Sequence, residues 1–285
     1  MDIREAGDGD MDAIIAIATA TGQEEAQAEG YPAYVRHLMS RGRFLVASAG
    51  DSAGKKVTGF GGTLAIGAGP TAISMLTDLF VLPSAHGQGV GRAILTELWR
   101  DQPRRMTFSS LHANALPLYA SFGVDAWWPL LYFSGPVRAL SVPAGFSVAT
   151  TDAAAVGALE LTWTGADRTS DHESWAAEEG GFSLVVSHDG RPVAAGTGSG
   201  SRTKYGFHHF VADRAAGEDS AAAVVAALAA LEPPGGTANL CLPAPHPATR
   251  ALLAAGWRIG EFDLHMASEF GLIDPRLTVP SPAMG

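Results

Sequence analysis

The chain has a single cysteine, Cys241, among 285 residues. An internal disulfide and a cysteine-rich metal centre are therefore excluded. Basic residues are scarce: Lys+Arg number 19 against 29 Asp+Glu, a formal charge of −10. Such a balance argues against a general nucleic-acid binder, which needs a basic face. It keeps the chain soluble, and it would draw a cationic small substrate through the field of the whole molecule. No apolar run reaches the roughly 20 residues that span a bilayer. The N-terminal stretch MDIREAGDGDMD is acidic and lacks the apolar core of a signal peptide. A soluble cytoplasmic protein with neither membrane nor nucleic-acid partner is expected.

What is present is an ordinary apolar fraction, 47%, and a repeated order of elements. In the first half, Ile3 to Ala6 reads as a strand, and Asp10 to Thr21 and Tyr34 to Arg41 as helices. Arg43 to Ala49 and Val57 to Ile66 form a hairpin across a turn at Asp51 to Gly54. A long strand, Ala72 to Val81, leads through a glycine-rich turn into a helix, Gly91 to Arg100. A strand (Arg105 to Ser109), a helix ended by Gly123 and a last strand (Trp128 to Phe133) follow. The second half repeats this order from Phe146, with a hairpin turn at Asp189-Gly190, a long strand from Lys204, and PATRALLAAGW mirroring ALPLYASFGV. Two domains of one fold result, 1–139 and 140–285, divided at LSVPAG. Each is an α/β (α+β) unit with a mixed, mostly antiparallel twisted sheet flanked by helices. The tail DPRLTVPSPAMG, rich in proline, is expected to run extended over the surface.

The segment FVLPSAHGQGVGRAILTELW carries the chemistry. From Gly87, a dinucleotide fingerprint fails because its third glycine would be Arg92, and a P-loop fails because no lysine follows. A strand, a proline, three glycines (Gly87, Gly89, Gly91) and a helix start remain. Glycines let the backbone approach a ligand, and the helix N-terminus adds unpaired N–H donors, so a pyrophosphate fits; a ligand-free tight turn is the alternative.

These residues resemble the GCN5-related N-acetyltransferase (GNAT) family. Val81-Leu82-Pro83 followed by His86-x-x-Gly89-x-Gly91 is similar to one family signature, and Asn114, Tyr119 and Phe122-Gly123 to the next. Together the motifs cover about residues 72 to 133. His86 stands where the family usually has Arg or Gln, which predicts weaker, pH-dependent cofactor binding. The resemblance implies acetyl-CoA as co-substrate and no metal. It places the pantetheine arm along Leu79, Phe80 and Val81, and the pyrophosphate over Gly87, Gln88, Gly89, Val90, Gly91 and Arg92. Asn114 and Ala115 would flank the pantetheine end. A strand bulge would aim a backbone N–H at the thioester oxygen. Tyr119 is implied as the acid that protonates the departing thiolate. Asp78 is the carboxylate best placed as base, with His112 as a second candidate.

Acceptor residues are expected from Thr21 to Met39, with Glu24, Glu25 and Glu29, and from Asp125 to Tyr132, with Trp127 and Trp128. In the second half no G-x-G follows the long strand, Glu218 and Asp219 lie where phosphates would sit, and Leu252 and Leu253 replace Tyr119. That copy reads as non-catalytic. Asp171, His172 and Glu173, with Trp175, are expected to face the acceptor cleft; their i, i+1, i+2 spacing cannot converge on one ion. The expected function is acetyl transfer from acetyl-CoA to the primary amine of a small molecule by direct attack in a ternary complex. A protein or peptide acetylase, a carrier-protein thioester donor and a non-catalytic acyl-CoA-binding module are the alternatives, and homodimerisation is left open.

Overall fold

The computed structural model describes residues 1–50, 56–201, 205–217 and 219–285. The expected turn at Asp51–Gly54, Lys204 and Glu218 lie outside the described residues, as do the side chains of Glu24 and Glu25. The first half runs β1 (Asp2–Glu5), α1 (Met11–Ala20), α2 (Tyr31–Arg41), β2 (Gly42–Ala49), β3 (Lys56–Ile66), β4 (Ile73–Val81), α3 (Val90–Leu98), β5 (Arg105–Ser109), α4 (Ala115–Ala120) and β6 (Asp125–Pro136). The second runs β7 (Phe146–Thr150), α5 (Ala153–Thr164), α6 (Thr169–Ala176), β8 (Phe182–His188), β9 (Arg191–Gly200), β10 (Tyr205–Ala212), α7 (Asp219–Ala229), β11 (Thr237–Pro243), α8 (Ala248–Ala254) and β12 (Arg258–Ala267). A short tail strand, β13 (Thr278–Val279), follows.

Local chemistry accounts for these elements. Ile94, Leu95 and Leu98 recur at helical spacing and give α3 one buried face. Gly123 and Gly256 adopt φ of +76° and +82° just after α4 and α8, the left-handed stop that glycine adopts without strain. Asp189 and Gly190 both have positive φ and turn the β8–β9 hairpin.

The strands form one continuous sheet in the order β1-β2-β3-β4-β5-β12-β6-β11-β10-β9-β8-β7, with β13 on β10. The last strands of the two halves have changed places. β12 pairs with β5 of the first half, β6 pairs with β11 of the second, and β6 and β12 pair with each other. The cores follow this exchange. One, under α1 and α2, joins Phe44, Phe60, Met75, Phe108, Trp128 and Leu130 to Trp175, Ala267 and Met284 of the second half. On the opposite face, Leu95, Trp99 and Tyr119 pack with Met266. Phe133 enters the remaining core, with α7 and α8.

The tail departs from the surface course expected of it. Val279, Ser281 and Met284 are buried. Thr278 and Val279 pair with Val211 and Phe210, and the end of the chain lies against Ile66 and Met75 of the first half. Proline allowed the extended course, but backbone pairing and apolar burial fixed its place inside. Arg168, buried at 1% exposure, donates to the carbonyls of Met284 and Gly285 and to Asp171.

Candidate active site

β4 and β5 run parallel and pair only from Ser74–Arg105 to Leu76–Thr107. Beyond Leu76 they separate. The cause is a bulge: Gly62 opposes Asp78 and Thr63 opposes Leu76, so Thr77 is an extra residue. Gly62 makes the bulge feasible, because a Cβ there would lie 2.6 Å from the Phe44 ring and 2.9 Å from the Thr77 hydroxyl. Residues 78 to 81 keep their pairing to β3 and have no strand on the edge toward β5, where His86 reaches the Val81 carbonyl. That edge is where the pantetheine arm was expected, along Leu79, Phe80 and Val81.

The chain then turns through Pro83–Ala85 into the glycine loop. Gly87 and Gly89 have φ of +75° and +80°, conformations that L side chains resist, and Gly89 is the N-cap of α3. Among the described residues, the N–H groups of Gly87, Gly89, Val90, Gly91 and Arg92 have no protein acceptor; the first helical bond runs from Ala93 to the Gly89 carbonyl. A cluster of free donors at a helix start is a ready anion site. The loop is braced from behind. His86 Nε2 donates to the Val81 carbonyl over 2.9 Å, and the Gln88 amide donates to the Ser84 carbonyl over 3.0 Å. His86 thus ties the loop to its strand through that nitrogen. The Arg92 guanidinium lies 5.7 Å from the centroid of the Phe122 ring, at the loop edge.

Asp78 follows the bulge and is 7% exposed. The Tyr34 hydroxyl donates to its Oδ2 over 3.0 Å. Burial pushes the Asp78 carboxyl up to about 6; the Tyr34 bond opposes the rise, as does the adjacent Thr77 hydroxyl, which stops short of a hydrogen bond. Tyr119, on α4, is buried beside Trp99. Burial raises its hydroxyl above the usual phenol range, and the charge of Asp78 adds to the rise, so the two groups are near enough to couple. The Tyr119 hydroxyl has no protein hydrogen-bond partner among the described residues. Asn114 is the exposed N-cap of α4 and Ala115 its first residue. His112 sets up that cap: its Nδ1 accepts from the Asn114 N–H and its carbonyl from the Ala115 N–H. His246 does the same for Ala248 before α8, a repeat of side-chain chemistry the sequence comparison passed over.

Other expected positions separate. Trp128 is buried between His265 and Phe108, whereas Trp127 is 38% exposed against Phe270. Glu29 is exposed. Asp171 and His172 do not face a cleft, because both are fully buried. Asp171 instead bridges the halves, with His37 at 2.8 Å and Arg41 at 3.0 Å, both on α2. Tyr34 and the contribution of β12 were missed, whereas a bulge in the strand before Pro83 was expected and stands at Thr77. The polar pair Thr77-Asp78 inside the apolar run MLTDLFV was the available signal for its exact position.

The second half keeps this framework and fills it. β10 carries an extra residue, His208, where β4 carries Thr77, and it meets β11 only at Gly206–Asn239. β13 then occupies the free edge at Phe210 and Val211, and the Ala212 N–H donates to Leu277. Asp219, at the start of α7, bonds His188 at 2.8 Å.

Residues 40–124 match the sequence model of the acetyltransferase (GNAT) domain. Among solved structures, a protein of Pyrococcus horikoshii with a provisional acetyltransferase assignment aligns over 100% of this chain and 95% of its own, at 14% identity and a TM-score of 0.73. A GCN5-related N-acetyltransferase from Anabaena variabilis aligns over 93% of this chain and 72% of its own, at 13% identity and TM-score 0.65. A tandem GNAT protein from the clavulanic acid biosynthesis pathway aligns over 96% and 99%, at 16% identity and TM-score 0.61. No curated protein matches the sequence. Residues 40–124 therefore resemble a GNAT acetyltransferase domain, and the chain as a whole shares its fold with these structures. The domain supports an acyl-CoA-dependent N-acetyltransferase in general. Among the described residues, no helix is long and apolar enough to cross a membrane.

Proposed function

We propose that the chain acetylates a primary amine of a small molecule, using acetyl-CoA in a ternary complex, and that residues 1–139 hold the catalytic site while 140–285 form a non-catalytic copy. The observation that carries this reading is the free β4 edge leading into a loop of unpaired N–H groups, with Asp78 and Tyr119 at its mouth. The donors of Gly87 and of Gly89 to Arg92 suit a pyrophosphate, and the open edge at 78 to 81 suits the pantetheine amides. Asn114 and Ala115 would flank that arm. Asp78 takes the proton of the acceptor ammonium, freeing the nitrogen lone pair to attack the thioester carbonyl. The carbon–sulfur bond breaks, Tyr119 gives its proton to the thiolate, and the nitrogen, losing its surplus proton to re-protonate Tyr119, becomes the neutral amide. Tail occupancy of the β10 edge supports a single site per chain.

The test is calorimetric titration with acetyl-CoA. One site per chain, lost in Gly89→Glu, supports the reading and justifies a screen of amines by CoA release. Two sites would overturn the assignment of the second copy, and no binding at millimolar ligand would overturn the whole.

A further inference from the structure

Several carboxylates of this chain have cationic partners. Asp171 is held by Arg168, Arg41 and His37, Glu160 by His172 and His209, Asp10 by Arg4, and Glu178 by His208. Asp78 and Asp263 differ. Each is held by a tyrosine hydroxyl, Tyr34 at 3.0 Å and Tyr132 at 2.6 Å, and neither has a cationic partner among the described residues. Both carboxyls are raised, Asp263 by burial first and then by Glu261, against the Tyr132 bond. A part-buried carboxylate with no cation is unfavourable unless a ligand supplies one.

The place of Asp263 is equally telling. Gly123 and Gly256 mark equivalent turns 133 residues apart. The same offset takes Leu130 to Asp263, and these two residues face each other in the β6–β12 ladder. They sit on the approximate twofold axis between the halves. Symmetry would put a second buried leucine there; a carboxylate stands instead. Asp263 shares a sheet face with Phe108, Trp128 and His265. The His265 ring is 1% exposed, with neither nitrogen hydrogen-bonded. Asp78 and Tyr34 belong to the same face. Asp78 lies just past the last β4–β5 pair, Leu76–Thr107, and Ser109, two residues further along β5, pairs with Leu264 beside Asp263. At least two strand spacings, about 10 Å, separate the carboxylates, because β4 and β5 part beyond Leu76.

We propose that Asp263, oriented by Tyr132, anchors a second cationic group of the acceptor, so that the substrate is a small diamine whose other nitrogen is acetylated at Asp78. The inference rests on the acetyltransferase reading, and it gives the exchanged strand β12 a role in specificity.

The test compares α,ω-diamines of increasing length with monoamines of matched length on the full chain. The expected result is a maximum in kcat/KM at a diamine spanning about 10 Å or more, roughly ten- to a hundredfold above the monoamine. Asp263→Asn and Asp263→Leu bring that ratio to near one, chiefly through KM. Asp263→Leu, which restores the symmetric residue, raises the melting temperature. The proposal is overturned if the ratio survives either substitution, or if both amines lose activity together as the protein loses stability. Calorimetry of the diamine into the protein without acetyl-CoA separates the two readings. Binding lost in Asp263→Asn supports the anchor even if no amine accelerates CoA release, an outcome that would sink the acetyltransferase reading alone.

Discussion

Replacing Asp78 by Asn exposes the base most directly, because the same change should abolish activity and stabilise the fold. Its carboxyl lies at about 6 against 3.8 for an unperturbed aspartate. A folded-state value above the unfolded one means the native state holds the proton more tightly. The stability this lends is full below pH 3.8 and is lost as pH rises through 6. By pH 7 the ionised group has cost roughly 3 kcal/mol, from a shift of about two units. Asn still accepts the Tyr34 hydroxyl, so Asp78→Asn should melt several degrees higher at pH 7 and show no such gain at pH 4. Catalytically, the base works on a bound ammonium, whose free pKa is about 10. The wild-type rate should therefore rise with unit slope to about pH 6 and stay level toward pH 9. At pH 5 it should stand near one tenth of the plateau, where an ordinary carboxylate would leave about nine tenths. Asp78→Asn should lose about 10²- to 10⁴-fold in kcat. CoA release followed from pH 4.5 to 9 reads both. A rate that climbs with unit slope from pH 6 to 9 would show that neutral amine is selected from solution, and would refute a protein base at Asp78.

Gly89→Ala forces a Cβ onto a left-handed residue and should cost about 1–2 kcal/mol of loop geometry, read as weaker acetyl-CoA binding by calorimetry with little change in fold by circular dichroism. Tyr119→Phe should leave the melting temperature within a degree or two, since its hydroxyl has no protein partner, while single-turnover kinetics show kcat down about 10²-fold or more. Asp171→Ala removes the counter-charge of buried Arg168 and should destabilise by about 3–5 kcal/mol in urea unfolding. Burial would raise the Asp171 carboxyl, but His37, Arg168 and Arg41 hold it below the usual range, so the difference from wild type should shrink as pH falls below 3.8.

The glycine turn was legible because its meaning is local: three glycines at alternate positions between a strand and a helix admit few backbones. The place of Asp78 beside the strand bulge was legible from its position before Val81. Its partner Tyr34 was not, because a contact across 44 residues leaves no periodicity. The strand exchange was hidden for a different reason. β6 and β12 are repeats of one strand, so the same alternation of apolar residues satisfies either neighbour, and sequence cannot say which half each completes. The tail misled because proline content predicts extended backbone but not what that backbone lies against. Val279 and Met284, two apolar residues among prolines, decided its burial. Asp263 reads as an ordinary surface acid in FDLHM; only the ladder reveals it facing Leu130 without a cation.

The exchange of β6 and β12 also dictates an order of assembly during synthesis. When β5 leaves the ribosome its eventual neighbour is 149 residues from being made, counting from Ser109 to Arg258. At about 5–20 residues per second, the nascent first half waits roughly 7 to 30 s with one flank of β5 unpaired. An uncovered strand edge recruits other chains. Growing chains crowded on one messenger would therefore be the setting in which this protein misassembles, with β12 of a completed chain inserting beside β5 of a neighbour.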